Sequence, residues 1–314
     1  MPFLYQVVGA GILSLGNGRR KFLNVKRKSA KTQQGNWRVW AELLRLPNLF
    51  TVPGDILTGW CLSGQRGAFP VLAILASLAL YAAGLLLNDC FDASIDARER
   101  PKRPIPSGRV GRFQVFSVAC LLAVMAVLCA GSGVSAAMIL LGLILFYDLL
   151  AKHLPWIGVL TMGCCRGMNV YLGAACAWPS FQTPCAPLLI LAMLFFTSYI
   201  VLVSVIAKRE AEPGAKVGAF RFLAPLFCIG LVPVLLWFDR GWAWPPLVVS
   251  GLMMLFLVRK HSIPALVAGL IRFLIPLQWV WCLVMYPSQW IGFTIGFAGC
   301  WTGAWIASRR FAGS

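Results

Sequence analysis

Apolar runs alternate with short polar breaks along almost the whole chain. Stretches near residues 46–65, 69–90, 113–131, 133–150, 155–178, 186–207, 220–238, 243–258, 263–286 and 288–308 carry few or no charges. Each is close to the roughly 17–25 residues that an α-helix needs to cross the hydrocarbon core of a bilayer. The last two stretches share an awkward region, because Pro264, Arg272 and Pro276 interrupt it. That interruption predicts that part of 262–275 forms a short interfacial or re-entrant helix. The pattern as a whole predicts an all-α polytopic membrane bundle of nine or ten crossings.

Composition supports that pattern. Of 314 residues, 59% are hydrophobic and only 12% are charged, about half the charged share of a soluble domain. A soluble chain of this length has no way to hide so much apolar surface, so a soluble enzyme and a disordered chain are both excluded. The 28 Lys and Arg against 10 Asp and Glu give a net charge of +18. In a soluble protein that imbalance points to nucleic acid. Here no RNA-binding signature accompanies it, and no nucleic-acid partner is expected. With the N-terminus inside, 24 of the 28 basic residues fall on the cytoplasmic side. Only Arg66 and Arg240 fall outside, and Arg166 and Arg272 lie within spans. This is the asymmetry of the positive-inside rule. It places the N-terminus and the loop at 88–112 in the cytoplasm, and the C-terminal Arg309-Arg310 favours an even number of crossings.

Three segments follow from the charge pattern. Residues 1–41 form a basic N-terminal tail, 42–308 the transmembrane domain, and 309–314 a short C-terminal tail. Residues 19–38 hold eight Lys and Arg, with no acidic residue before Glu42. Such a tail either lies on anionic lipid head groups or directs the chain to an organelle membrane, since transit peptides are basic and acid-poor. Its apolar start (Phe3 to Leu15) precedes the basic cluster, the reverse of a secretory signal. The eleven cysteines are scattered mostly through apolar stretches, with no CxxC or Cys/His cluster, so neither zinc nor a disulfide framework is indicated.

With so few carboxylates, each one is informative. Asp89, Asp92, Asp96 and Glu99 lie together at the inner end of the second apolar stretch. Asn88, Asp92 and Asp96 are spaced by four and stack on one face of a helix. A column of oxygen ligands suits Mg²⁺, which is usually completed by water and substrate phosphates. The two stacked carboxylates, Asp92 and Asp96, also repel one another unless a cation sits among them. A basic loop follows directly, with Arg98, Arg100, Lys102, Arg103 and Arg109. An acidic face beside a basic loop suits a diphosphate, with the metal bridging its oxygens and Arg or Lys neutralising the rest. The other reading is a solvated, salt-bridged helix end.

The string Asn88-Asp89-x-x-Asp92-x-x-x-Asp96, followed by Arg103-Pro104-Ile105-Pro106-Ser107-Gly108, resembles the first aspartate-rich motif of the UbiA superfamily of intramembrane prenyltransferases. Arg45-Leu46-Pro47-Asn48, Tyr147-Asp148 with Lys152, and Arg166-Gly167-Met168-Asn169 resemble further family elements, in order. The resemblance covers about 42–240. Pro53-Gly54-Asp55 and the tail RPKRPIPSGRV are similar to a branch of unassigned acceptor found in ebo gene clusters. The resemblance implies nine transmembrane helices around a central cavity. It implies Mg²⁺-dependent transfer of a prenyl group from a prenyl diphosphate to a lipophilic or head-group acceptor, through an allylic cation. By carry-over, Asn88, Asp92 and Asp96 form the metal face and Lys152 and Arg103 contact diphosphate. Asn48, Tyr147 and Asn169 line the polar end of the cavity. The chemistry is consistent: a leaving diphosphate needs preorganised positive charge, and the carbocation needs a dry pocket, where aromatic faces can help.

The match fails after the sixth stretch, where the family carries a second aspartate pair. Here the chain reads Lys208-Arg209-Glu210-Ala211-Glu212-Pro213-Gly214. Glu210 and Glu212 point about 200° apart on a helix and form one metal face only if Pro213-Gly214 unwinds the backbone. Three readings stand: the glutamates replace the aspartates, Lys208 or Arg209 replaces the second metal, or the site is degenerate and binds an isoprenoid without catalysis. Asp55 and Arg166 are charges within spans, where they are costly. Asp55, seven residues after Asn48, is expected on the same helical face, either meeting the acceptor as a hydrogen-bond acceptor or base, or pairing with Arg166 to tie two helices together. A transporter or non-catalytic scaffold is the rival class, although no internal repeat of the 88–109 motif is present.

Overall fold

The computed structural model describes residues 36–64, 68–177, 187–209, 218–237, 244–259 and 262–310. Its regular structure is helical, with no strand among the described residues. Short helices α1 (Asn36–Leu43), α2 (Leu46–Leu49) and α3 (Val52–Leu62) lead into α4 (Val71–Phe91) and α5 (Ala93–Glu99). Then come α6 (Arg112–Cys129), α7 (Val134–Leu149), α8 (Pro155–Ala177) and α9 (Pro187–Lys208). The chain continues through α10 (Leu223–Trp237), α11 (Trp244–Val258), α12 (Ile263–Met285) and α13 (Trp290–Arg310). Helices are the expected outcome, because in lipid each backbone N–H and C=O must be satisfied within its own segment. Among the described residues, five segments are long and apolar enough to cross a membrane: Val71–Phe91, Arg112–Cys129, Gly131–Leu149, Pro187–Lys208 and Ile263–Met285.

The first apolar stretch is a broken helix, not one continuous span. Arg45 takes a left-handed conformation, with φ at 44°, and α2 runs for only four residues before the chain turns through Phe50 and Thr51. Pro47 and Pro53 explain the breaks, since proline lacks the N–H and disfavours helix in the residue before it. Asn48 and Asp55 therefore do not share one helical face, and the seven-residue spacing that placed them there does not apply.

The region 262–275 also departs from expectation. It is part of α12, which runs unbroken for 23 residues with Pro276 inside it. Neighbouring helices make this possible. α12 packs against α3, α9, α10, α11 and α13, and its proline is enclosed by protein, where lost backbone bonding is tolerated. Arg272 donates from Nε to the carbonyl of Ala268 (3.2 Å) and from Nη1 to the Ser308 hydroxyl (3.3 Å). It thus reaches toward the end of α13 that carries Arg309 and Arg310, as a long cationic side chain in a membrane does.

α8 is the hub, packing against α3, α4, α7 and α9. Glycines let it come close. A Cβ at Gly59 would stand 1.8 Å from the carbonyl oxygen of Val170, and one at Gly173 would stand 2.2 Å from that of Ile56. Small residues at helix contacts replace the missing hydrophobic drive between helices in lipid. The G59V and G173V variants are expected to lose about 3 kcal/mol of stability, at the upper end of overpacking costs because the obstructing atoms are backbone. G142V is expected to be neutral, as a Cβ there meets nothing within 4 Å. Thermal unfolding in detergent checks this, and a wild-type melting point for G59V would rule out the close contact.

Candidate active site

The aspartate segment sits where α4 passes into α5. Backbone bonds from Asp92 N to Asn88 O (2.9 Å), Asp96 N to Asp92 O (2.8 Å) and Arg100 N to Asp96 O (2.8 Å) carry the helical repeat through the junction. The four-residue spacing therefore does set Asn88, Asp92 and Asp96 one turn apart on a common side. Asn88 lines a cavity, Asp92 is half-buried and Asp96 is buried.

Cations from three other segments meet these carboxylates. Lys152, on the turn after α7, places Nζ 2.5 Å from Asp92 Oδ1. Arg103 places Nη1 2.7 Å from Asp96 Oδ2 and 3.5 Å from Asp89 Oδ1. Arg45, at its left-handed break, reaches the same Asp89 oxygen at 3.5 Å. Arg103 is held in turn by its loop. Arg109 binds Glu42 of α1 through two bonds of 2.7 and 2.9 Å, and donates 2.8 Å to the carbonyl of Lys102. Gly108, at φ +72°, turns the loop back so that Arg109 can do this.

Among the described residues, no three His, Cys, Asp or Glu side chains gather closely enough to hold a metal. The donor chemistry nevertheless fits Mg²⁺. Asn88, Asp92 and Asp96 offer hard oxygens on one face, and in this state lysine and arginine supply the positive charge the carboxylates require.

Behind this mouth lies a cavity of about 310 Å³ between α4, α7, α8, α9 and α12. Its polar end holds Arg45, Asn48, Asn88, Tyr147, Arg166 and Asn169, while Leu80, Leu140, Ile144, Val203, Ile271 and Leu274 form apolar walls. The aromatics on its lining are the tyrosines Tyr81 and Tyr147. Phe195, Phe196, Phe227 and Trp281 instead pack edge to face or tilted against one another away from it. An adjoining cavity of about 280 Å³ shares Tyr147, Met162, Ser204 and Ala207 with the first, and has Lys152 and Lys208 on its lining.

Asp55 lies behind the cavity wall and is fully buried. Its Oδ1 accepts from Gln278 Nε2 at 2.6 Å, and its Oδ2 accepts from Asn169 Nδ2 at 2.8 Å. Arg166 Nε stands 2.8 Å from Oδ2, at an angle that makes the contact ionic and not a directed hydrogen bond. Arg166 Nη2 and Gln278 Nε2 also donate to the Thr51 carbonyl at 2.6 and 2.9 Å. Ser77 donates to Asn169 Oδ1 at 2.7 Å. Gly54 makes room, as a Cβ there would fall 2.0 Å from Gln278 Oε1. The arrangement is a tie between α3, α8 and α12, with the Asn169 and Arg166 ends facing the cavity.

Of the residues singled out from sequence, Asn48, Asn88, Tyr147, Arg166 and Asn169 line the main cavity, Lys152 lines the adjoining one, and Asp92, Asp96 and Arg103 line neither but cluster at the mouth beside Arg45 and Asn88. Lys208 and Arg209 stand exposed at the end of α9, and Glu210 and Glu212 lie outside the described residues. The sequence places Arg45, Asp89 and Asp148 within family-like motifs but gives them no role of their own, and Gln278 is not among its candidates. Gln278 carried a signal, as an amide within an apolar span.

Comparison with known proteins gives a consistent picture. A profile of the UbiA prenyltransferase family matches residues 56–266. A digeranylgeranylglyceryl phosphate synthase of Methanopyrus kandleri is 30% identical over 234 residues, covering 68% of this chain and 83% of that one. The synthase of the same name from Methanothrix thermoacetophila is 34% identical over 149 residues, 45% of this chain and 56% of its own length. The chain thus spans little more than half of that relative. A solved structure described as digeranylgeranylglyceryl phosphate synthase in membranes superposes with a TM-score of 0.53 at 18% identity, covering 83% of this chain and 98% of that one, and shows the same fold.

The buried tie predicts a coupling. Removing one partner of a buried pair strands the other and costs about 3–5 kcal/mol. D55L and R166M are each expected to be destabilised by that much. The double variant should be less destabilised than the sum of the two. Unfolding measured across this double-mutant cycle checks it, and strict additivity would mean that the two charges do not stabilise one another.

Proposed function

The chain belongs to the UbiA prenyltransferase family, a family of membrane-embedded transferases, and from that footing we propose that it moves a prenyl group from a prenyl diphosphate to a lipophilic or head-group acceptor inside the bilayer, with Mg²⁺ as cofactor. One observation carries the reading: paired carboxylates and cations cluster beside Arg45 and Asn88, which line the polar end of a cavity with aliphatic walls. Asn88, Asp92 and Asp96 would hold the metal, which when bound neutralises diphosphate oxygens and favours departure of that group.

The chain's own residues do the rest. Lys152 and Arg103 now neutralise Asp92 and Asp96. Once those carboxylates have another cation, the same two side chains are in place to meet a diphosphate. As the allylic C–O bond breaks, its electron pair leaves with the diphosphate, and fixed positive charge around that group lowers the barrier. Leu80, Leu140, Ile144 and Leu274 keep water from the carbocation. Arg45, Asn48, Tyr147, Arg166 and Asn169 form the polar boundary between the two ends. Lys208, on the lining of the adjoining cavity, supports the reading in which a fixed charge at the end of α9, or its neighbour Arg209, serves where the family has a second metal. Glu210 and Glu212 remain the competing ligands. In the membrane, the basic mouth faces the cytoplasm with the N-terminus, and the helices make nine or ten crossings.

Purified protein in lipid nanodiscs is expected to release pyrophosphate from geranylgeranyl diphosphate when Mg²⁺ is present and to stop with EDTA. D92N and D96N should each lose about 10²–10³-fold, as loss of a charge-stabilising group does. A transporter or scaffold would release none. If Lys208 or Arg209 replaces a metal, K208Q or R209Q should change the Mg²⁺ concentration at half-maximal rate. An identical Mg²⁺ titration in both variants removes that role.

A further inference from the structure

Asp148 is a carboxylate that neither the mouth nor the buried tie uses. It ends α7 beside Tyr147, is only 2% exposed, and lines the main cavity. Its Oδ2 is buried and has no hydrogen-bond partner among the described residues. Lys152, one turn further on, is committed to Asp92 instead. A buried carboxylate oxygen left unpaired loses its hydration without repayment, so its persistence on a cavity wall marks a place for a donor that arrives from outside the chain.

Resting on the prenyltransfer reading above, we infer that Asp148 is the base that accepts the acceptor's proton, and that the attacking atom of the acceptor is therefore an uncharged, hydrogen-bearing one, such as a hydroxyl. Asp148 stands on the cavity lining near the polar boundary, with the aliphatic wall residues Ile144 and Leu140 on its own helix one and two turns before it. Charged groups acting on it are Lys152 from the following turn, Asp89 and Asp92 from α4 and its end, and Arg45 from the α1–α2 junction. Cys165 faces it from α8. A free acceptor carboxylate or phosphate oxygen would meet repulsion there, whereas an O–H finds an acceptor.

The step balances. The allylic C–O bond breaks with its electrons going to diphosphate. A lone pair of the acceptor oxygen forms the new C–O bond, and the proton on that oxygen passes to the Asp148 carboxylate. The protonated carboxyl then returns its proton to water at the mouth. Ionisation of the prenyl diphosphate does not involve Asp148, and capture of the cation does. The two halves of the reaction can therefore be separated experimentally.

Geranylgeranyl diphosphate carrying ¹⁸O at the bridging position reports ionisation, because return of the cation scrambles the label among the phosphate oxygens. Radiolabelled geranylgeranyl diphosphate with a total lipid extract of the source cells reports transfer into lipid. D148N is expected to lose about 100-fold in transfer, the low end of what a general base supplies, while scrambling persists, and D148E should recover part of the transfer. Persistent scrambling also reports that the variant is folded. Loss of both signals in D148N would place Asp148 in diphosphate binding and overturn the proposal. Retention of both would overturn it as well. Absence of scrambling and of pyrophosphate release in the wild-type protein would instead remove the prenyltransfer reading on which the proposal stands, so the two failures are told apart.

Discussion

A carboxylate that cannot reach water must be matched by positive charge or by donors, or it will not stay ionised where it is. The chain has ten acidic residues, and at three depths it answers that requirement in three ways. Far inside, Asp55 meets Arg166, Asn169 and Gln278, so that three helices are tied at one carboxylate. At the mouth, Asp89, Asp92 and Asp96 meet Arg45, Arg103 and Lys152, which come from segments far apart in sequence. Between them Asp148 faces the cavity with one oxygen unanswered. The helix packing follows from these demands as much as from apolar burial, since lipid offers helices little hydrophobic reason to associate.

Depth also decides which pairs can open. The side chains of Arg166 and Asp55 are 9% and 0% exposed, and breaking such a pair strands a charge. Those of Lys152 and Asp92 are 12% and 23% exposed, and those of Arg103 and Asp96 are 26% and 8%. Pairs that keep some contact with water are worth less than fully buried ones and cost less to open. The mouth can therefore exchange partners when a metal and a diphosphate arrive, while the tie beneath it holds its geometry. The Arg109–Glu42 clamp keeps the exchange local by fixing the loop that carries Arg103.

The parts legible in sequence are those set by local periodicity. The long apolar helices α4 and α6–α9 fall close to the stretches that predicted them, because lipid leaves the backbone no alternative. The spacing of Asn88, Asp92 and Asp96 survives because helical bonding continues through Asp92. What was not legible is set by distant partners. Pro264, Arg272 and Pro276 look like a break when read locally, yet α12 is continuous because five other helices pack against it. Pro47 and Pro53 signal a break, but not the left-handed turn that aims Arg45 at Asp89. Gln278 and Asp55 are 223 residues apart, and no spacing rule joins them. The end of α9 is the reverse case: the sequence shows plainly that aspartates are missing, and Glu210 and Glu212 fall outside the described residues.

Asp55 and Asp148 show why an intramembrane carboxylate needs its surroundings before it can be given a role. From sequence, Asp55 is the better candidate for meeting an acceptor, since it interrupts an apolar stretch and Asp148 lies at the end of one. In the folded chain the order reverses. Gly54 admits Gln278 so closely that both oxygens of Asp55 are taken, and its charge is fully answered from within the protein. Asp148 is flanked by apolar neighbours on α7 and by a lysine already engaged elsewhere. A group whose bonding is complete gains nothing from a visiting proton donor, whereas one with an unfilled oxygen does. The reactive carboxylate of a dry cavity is thus to be sought among those the fold leaves incomplete, and the most heavily bonded ones are structural ties.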